Sequence, residues 1–298
     1  MIAIDVGQSG SRVQSDGVEI TLERGKLAGE DILTTIRNIC ASLPELRTET
    51  VSLSLTGFAG EVSDPVPFHD ICAQTFGSKE TAVIDDGLAS FAGALLGQIG
   101  VALAIGGGVV AVAGKNNNFS HVDGLGSTFG DEGAGFWLGS RAIARALATR
   151  EGRDDKVALL DIFRDEVNAY DDLKVKNSSD AVLLAIESAR KLLDSADQNI
   201  AGAVEIREEG ARLLGKTIVA AWKNAGGLVG ENPNICITGG LAKNRNYSEL
   251  IARQVCQEIP GARTVSPQGN NLDGAIWIAQ NLREDLPPML RWARSATL

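Results

Sequence analysis

The sequence predicts an α/β protein built from two related halves. Short apolar strands alternate with segments of helical spacing along the chain. A strand, a glycine turn and a second strand open the chain in "MIAIDVGQSGSRVQ", and the same pattern returns from residue 101 in "VALAIGGGVVAVAG". Neither a linker nor a low-complexity stretch interrupts this order. These features indicate a duplicated α/β module.

The first half is predicted to span residues 1–98. Its opening hairpin carries a polar glycine turn, and the following elements are recognised by their apolar period. They are a helix at 31–42, a strand at 51–57, a buried strand at 81–87 that ends in acids, and a helix "LASFAGALLG" closed by Gly97.

The second half is predicted to span residues 99–275. The C-terminal helix, about 276–298, is expected to pack back on the first half. The remaining elements are the strand pair from residue 101, helices at 136–150, 156–170, 179–196 and 203–225, a strand at 234–240 and a last helix near 273–283.

Composition excludes several classes of protein. The formal net charge is −10, from 38 acidic and 28 basic residues, which argues against a general nucleic-acid binder. Neither a signal peptide nor an apolar run of about 18 residues occurs, so no membrane association is expected. The four cysteines are scattered without a CxxC pair. The chain therefore reads as a reduced, cytoplasmic protein.

One motif is misleading. "GARLLGKT", Gly210–Thr217, matches the P-loop pattern, which requires a preceding strand. Apolar residues instead continue at helical spacing straight through the match, from Ile206 to Trp222. We therefore expect an ordinary helix here and not a phosphate-binding loop.

Three glycine turns each follow an apolar strand. They are Asp5–Ser9, Gly106–Gly108 and Gly239–Gly240, and acidic strand ends occur at Asp5 and Asp86. Glycine allows backbone N–H groups to approach phosphate oxygens closely. Together the turns indicate a nucleotide site with nearby carboxylates.

The order DxGxS, DD, GGG, GDEG, TGG resembles the actin-like ATPase fold of actin, heat-shock chaperones and sugar kinases. Within it, "IDDGLASFAGALLG", "GLGSTFGDEGAGFWLGSRAI" and "ICITGGLAKN" resemble the N-acetylglucosamine kinase and BadF/BadG/BcrA/BcrD-type ATPase family. The match runs from residue 2 to about residue 279, and GDEG is its most specific part. The resemblance implies two actin-like (ribonuclease H-like) ATPase domains with an interdomain nucleotide cleft.

The resemblance also implies ATP and Mg²⁺ as cofactors. Asp5 matches the acid that holds Mg²⁺, usually through water, and a turn-capping role is the alternative. Asp86 matches the base that takes the proton from the attacking sugar hydroxyl. Asp85 is the rival base, and either acid also suits a helix N-cap. The implied nucleotide contacts are Gly7, Gln8, Ser9, Gly106, Gly107, Gly108, Gly210, Gly239 and Gly240, and each glycine among them also suits a purely conformational role.

The implied sugar contacts lie around GDEG. In the family the turn Gly124–Leu125–Gly126 and Asp131 contact the sugar, and a carboxylate suits vicinal hydroxyl groups. Glu132 is a further candidate contact. It is also expected at or beside the start of the following helix, where negative charge is favourable by about 0.3–1 kcal/mol.

The sequence departs from the family at three points. Gln8 replaces a glycine, Gly107 lacks the usual hydroxyl side chain, and "RGKLAGEDIL" lacks the asparagine that reads the sugar in relatives. The leading hypothesis is an ATP-dependent kinase acting on an amino sugar such as N-acetylglucosamine or glucosamine, with a homodimer allowed by the resemblance. The alternatives are an ATPase that activates a partner reductase through an iron–sulfur cluster, and a nucleotide-binding regulator without a sugar site.

Overall fold

The computed structural model describes residues 1–7, 10–26, 29–173 and 178–295. Within these residues, eleven strands form two sheets, accompanied by ten α-helices and a short 3₁₀ helix, Leu241–Lys243. The strands are β1 (Ile2–Val6), β2 (Ser11–Ser15), β3 (Val18–Leu22), β4 (Thr50–Leu55), β5 (Glu80–Asp85), β6 (Gly100–Ile105), β7 (Val109–Lys115), β8 (Asn118–Asp123), β9 (Asn234–Thr238), β10 (Arg263–Thr264) and β11 (Leu290–Arg294). The helices are α1 (Ile32–Ala41), α2 (Val66–Phe76), α3 (Asp86–Leu95), α4 (Gly135–Arg150), α5 (Val157–Ile162), α6 (Arg164–Leu173), α7 (Ser178–Asp197), α8 (Ala201–Asn224), α9 (Arg245–Glu258) and α10 (Asn271–Asn281).

The first sheet has the strand order β11-β5-β4-β1-β2-β3. Its centre is parallel, because β4 pairs with β1 on one side and β5 on the other. The hairpin strands β2 and β3 and the C-terminal β11 extend it with antiparallel pairs. The central strands are almost wholly buried, as parallel strands covered on both faces require. Their carboxyl ends therefore meet at one edge of the sheet.

The second sheet has the order β10-β9-β6-β7-β8. Counted from the first strand of each sheet, both read 3-2-1-4-5, and β11 is an addition to the first sheet. This repeat agrees with the duplicated module that the two strand–glycine turn–strand patterns predict.

The chain divides into two compact units. Unit 1 contains Met1–Gly100, Val112–His121 and Ser266–Leu298, and unit 2 contains Val101–Ala111 and Val122–Val265. The predicted boundary between residues 98 and 99 stays a prediction. In unit 1, α10 packs against α3 through glycines, since a Cβ at Gly93 or Gly274 would collide with the opposing helix backbone.

The P-loop look-alike lies in the middle of α8, as predicted. Thr217 Oγ1 donates to the Leu213 carbonyl at 3.3 Å, a bond typical of a helical threonine, and Lys216 is exposed. The helical interpretation is therefore confirmed. No described helix is long and apolar enough to cross a membrane.

Several elements differ from the sequence prediction. The helix predicted at 156–170 is two helices, α5 and α6, which meet at the buried Phe163. The chain after Asn281 leaves the helix and forms β11, so 276–298 is not one helix. The sequence reasoning also missed α2 and α9.

Candidate active site

An acidic cluster lies at the carboxyl edge of the first sheet. In the strand register Asp5 of β1 faces Ser54 of β4, and Leu55 faces Asp85 of β5. Asp86 follows directly as the first residue of α3. Parallel pairing of three strands thus gathers the predicted Asp5 and Asp86 in unit 1, and the edge of a parallel sheet where strands end is a common ligand site.

Asp5 is nearly buried and has a partner on each carboxylate oxygen. Ser54 Oγ donates to Oδ1 at 2.8 Å, and Arg12 donates to Oδ2 at 2.7 Å. These contacts fix the carboxylate and balance its charge. In the turn that follows, the Gly7 N–H donates to the Gly10 carbonyl at 3.0 Å. The predicted Gln8 and Ser9 lie outside the described residues.

Asp85 is the N-cap of α3. Its Oδ1 accepts from the Gly87 N–H at 2.9 Å, and its Oδ2 accepts from the Gly60 N–H at 3.1 Å. His121 Nε2 lies 3.8 Å from Oδ1. The sequence leaves the N-cap of α3 open between Asp85 and Asp86. In the structure the N-cap is Asp85.

Asp86 has an environment suited to proton exchange near neutral pH. Burial, the charge of Asp85 and, more weakly, the charge of Asp5 raise the pKa of Asp86 to about 7. The hydroxyl of Thr56 and the N–H of Gly87 oppose this shift by hydrogen bonding to the carboxylate. A carboxylate poised near pH 7 has the property expected of a general base.

In unit 2, Asp131 joins the Gly106–Gly108 loop to the GDEG turn. Its Oδ1 accepts from the Val109 N–H at 2.9 Å, and a Cβ at Gly108 would lie 2.7 Å from Oδ2. Its own N–H donates to Asp123 Oδ1 at 2.9 Å. Burial raises the pKa of Asp131, the Asp123 charge adds to the rise, and the Val109 N–H opposes it. Oδ2 has no hydrogen-bond partner in the described part of the chain.

The predicted sugar turn and the Asp131 side chain both hydrogen-bond to the backbone of Val109. The Gly124 N–H donates to the Val109 carbonyl at 2.9 Å, so Val109 connects both segments. Leu125 is 69% exposed on this turn. Glu132 is exposed, lies before the Ala134 N-cap, and makes no capping hydrogen bond to α4. The structure thus brings Asp131 and the turn together and leaves Glu132 apart.

Packing explains some of the predicted nucleotide glycines. Gly239 has a φ of +96°, and a Cβ there would collide with the Ile105 carbonyl. At Gly107 a Cβ would press on Ile186 at 2.9 Å, and at Gly210 it would meet the Tyr247 hydroxyl at 2.6 Å. The backbone collision and positive φ at Gly239 require glycine, whereas the contacts at Gly107 and Gly210 are with the ends of side chains.

Three other predicted glycines have no such reason. The nearest atom to a Cβ would be 3.5 Å away at Gly7 and 4.0 Å away at Gly106, and none lies within 4 Å at Gly240. Their φ angles also lie outside the left-handed region. Packing and backbone conformation therefore do not require glycine at these three positions.

Comparison with known proteins identifies the family. The model of the BadF/BadG/BcrA/BcrD ATPase family matches residues 2–279. The chain belongs to this family. The resemblance predicted from the motifs is thereby confirmed. A search of the curated proteins finds no match.

Solved structures show that this family member has the actin-like ATPase fold of sugar kinases, as predicted. A candidate N-acetylglucosamine kinase from Chromobacterium violaceum has a TM-score of 0.68 at 20% identity, covering 94% of this chain and 99% of that one. A second, from Porphyromonas gingivalis, has a TM-score of 0.65 at 14% identity, with the same coverage. A ROK family glucokinase from Streptomyces griseus, in complex with glucose and AMPPNP, has a TM-score of 0.58 at 16% identity, covering 94% and 97%.

Unit 2 of this ATPase also contains a polar cavity of about 290 Å³. The segment after Gly239–Gly240 contributes Asn246, whose amide donates to Asp197 at 2.8 Å. Arg207 pairs with Asp197 at 2.7 Å, and its Nε is buried without a hydrogen-bond partner among the described residues. The cavity therefore has a polar lining that includes a charged pair.

In each unit, sequence reasoning missed residues that shape the candidate site. Arg12, Ser54 and Thr56 surround the unit 1 carboxylates, and Asp123 holds the Asp131 backbone. Two of them carried a usable signal. Arg12 directly follows the first glycine turn, and Asp123 precedes Gly124 at the end of a strand. The cavity residues had none, since they come from separate helices and turns.

Proposed function

We propose that this protein transfers the γ-phosphoryl group of ATP to a hydroxyl of an amino sugar, such as N-acetylglucosamine or glucosamine. The observation that carries the proposal is Asp86, a half-buried carboxylate with a pKa raised to about 7 at the carboxyl edge of a parallel sheet. Family membership supports the use of ATP, and the sugar-kinase fold supports the class of acceptor.

Asp86 is the general base in this proposal. Its Oδ accepts the proton of the attacking hydroxyl as the oxygen bonds to the γ-phosphorus and the bond to the β-phosphate oxygen breaks. Phosphoryl transfer needs positioning and charge neutralisation more than covalent chemistry, so one well-placed carboxylate suffices. The neighbouring Asp85 is committed to capping α3.

Asp5 fits a Mg²⁺ ion held through water. Both of its oxygens already accept a hydrogen bond or pair with a cation, from Ser54 and Arg12, so water-mediated coordination disturbs less than direct coordination. Bound Mg²⁺ would neutralise charge on the phosphates.

The glycines without a packing reason support the nucleotide contacts. Gly7, Gly106 and Gly240 leave space for phosphate or ribose at the backbone. The Asp197–Arg207 cavity takes the adenosine in this proposal, since it is polar and the segment after Gly239–Gly240 contributes Asn246 to its lining. Gly239 and Gly210 support these segments by packing.

Asp131 and the Gly124–Leu125–Gly126 turn form the proposed sugar contact. Oδ1 of Asp131 is held by Val109, which leaves Oδ2 to accept from a sugar hydroxyl. Leu125 presents an apolar side chain that suits the methyl group of an acetamido substituent. Glu132, exposed and away from these contacts, has a secondary role at most.

The structure supports the two rival functions less well than the sugar-kinase proposal. Cys40, Cys72 and Cys236 are buried and only Cys256 is exposed, an arrangement that does not suit a shared iron–sulfur cluster. A regulator without catalysis has no need of a carboxylate tuned to neutral pH.

The test is an ADP-release assay with ATP and Mg²⁺ against hexoses, hexosamines and their N-acetyl forms. We expect an amino sugar to give the highest kcat/KM, and Asp86→Asn to lose at least about 100-fold in kcat while still binding ATP. No response to any sugar would overturn the sugar-kinase proposal. An iron assay and absorbance near 400 nm would then test the activator alternative.

A further inference from the structure

A partly buried imidazole lies behind the proposed base. His121, on β8, is 14% exposed at its side chain, and its Nε2 lies 3.8 Å from Asp85 Oδ1. Asp85 in turn caps the helix that begins with Asp86. All of these residues belong to unit 1. A histidine–carboxylate pair next to a reactive acid is well placed to control it.

Two glycines make room for this imidazole. A Cβ at Gly60 would lie 2.9 Å from His121 Cγ, and a Cβ at Gly87 would lie 3.5 Å from its Cδ2. The same two glycines donate their N–H groups to the Asp85 carboxylate. The ring, the two glycine backbones and the carboxylate therefore form one packed arrangement.

Neighbouring contacts fix the strand that carries the histidine. Phe119, two residues earlier on β8, packs edge-on against Phe91 of α3, with ring centroids 5.9 Å apart. Since α3 also begins at the Asp85 cap, the strand and the helix are held together on both sides of the carboxylate.

We propose that His121 is a positioning residue for the Asp85–Asp86 turn, and that its imidazole, when protonated, offsets the charge of Asp85 and keeps Asp86 available as a base. The inference rests on the proposed function, because Asp86 is the general base of the proposed reaction. It adds a control element that acts through Asp85 and touches neither sugar nor ATP.

Charge balance around Asp86 gives the direction of the effect. Asp85 and Asp5 are the acidic groups that raise the pKa of Asp86, and Arg12 is bound to Asp5. His121 is the basic group on the Asp85 side. Removing the imidazole takes this basic group away from Asp85, so Asp86 should hold its proton to higher pH. Removing the Asp85 charge should have the opposite effect.

The experiment measures kcat/KM against pH, with the sugar that responds best in the ADP-release assay. In His121→Gln and His121→Ala we expect the acidic limb to move up by about 0.5–1 pH unit. The loss is about two- to fivefold at pH 7, and activity recovers near pH 9, whereas KM for ATP stays within about twofold. In Asp85→Asn the limb should move down. A purely structural defect would not reverse at high pH.

His69 supplies the matched control. It is the only other histidine of the chain, and it is buried in unit 1 between Thr81 Oγ1 at 3.0 Å and Ser295 Oγ at 3.1 Å. His69→Gln should leave the position of the acidic limb unchanged. If His121→Ala does not fold, His121→Gln and Asp85→Asn still give opposite shifts.

Two failures can be told apart. Full activity in Asp86→Asn would overturn the base assignment, and the inference with it. Loss of activity in Asp86→Asn together with superimposable pH profiles for native protein and His121→Gln would overturn the inference alone.

Discussion

Replacing Asp86 by asparagine should stabilise the folded protein above neutral pH while it abolishes turnover. The charged form of Asp86 is unfavourable in the fold, because burial and the charge of Asp85 raise its pKa from 3.8 to about 7. Asparagine removes the charge and keeps the size of the side chain. A residue held for chemistry at the expense of stability should behave in this way.

The sign and size follow from linkage. Because the pKa of Asp86 is higher in the folded state than in the unfolded state, the folded protein binds the Asp86 proton more tightly. The resulting contribution to the free energy of unfolding is complete below pH about 4 and is lost as the pH rises through 7. A shift of about 3 units at 1.36 kcal/mol each gives about 4 kcal/mol in total. Of this, about 3 kcal/mol is lost between pH 5 and pH 8.5.

Urea unfolding of native protein and Asp86→Asn at several pH values, in metal-free buffer, measures this loss. The free energy of unfolding of the native protein, minus that of the variant, should fall by about 3 kcal/mol from pH 5 to pH 8.5. Asp70→Asn, which removes an exposed carboxylate on α2, controls for the loss of a charge as such. A difference that stays constant across this range would refute the assigned environment of Asp86.

Three further substitutions test the rest of the site. Asp131→Asn keeps an acceptor for the Val109 N–H, and asparagine tolerates the left-handed backbone at φ +58°. The free energy of unfolding should therefore change by less than about 1 kcal/mol, while KM for the sugar rises at least about tenfold. An unchanged KM would remove Asp131 from the sugar site. Gly106→Ala should fold normally, since its Cβ would find no atom nearer than 4.0 Å, yet raise KM for ATP about tenfold. The control is Gly108→Ala, which should destabilise the fold by about 1–3 kcal/mol because its Cβ would press on the Asp131 carboxylate. Normal ATP binding by Gly106→Ala would contradict a ligand role for Gly106. Lys216→Ala should leave ATP affinity within about twofold, as an exposed residue inside α8, and loss of binding without unfolding would restore the P-loop interpretation.

Elements with a strong local pattern could be predicted from the sequence. The opening hairpin, β4 and α8 all appear near the expected residues, because their apolar period is unambiguous. The missed helix α2 begins after Pro65 without a side-chain cap, and a proline in its first turn is the start signal that the sequence reasoning overlooked. The strand β11 owes its existence to pairing with β5, which is remote in sequence. Such pairing leaves no local trace.

The site divides in the same way. The motifs predicted Asp5, Asp86 and Asp131 as the acidic site residues. The structure places Asp5 and Asp86 at one edge of the first sheet, and Asp131 accepts a hydrogen bond from the Val109 N–H. The sequence could not choose the helix cap between Asp85 and Asp86, since both types suit that position. The backbone N–H groups of Gly60 and Gly87 decide it, and one of them comes from a distant loop.

By itself, the sequence determined the α/β class, the repeated module and the family, because apolar periods and glycine turns are local properties of the chain. The tertiary structure decided which glycines packing requires, which acid caps α3 and why Asp86 has a pKa near 7. Those properties depend on burial and on charges from separate strands. They exist only once β1, β4 and β5 lie side by side.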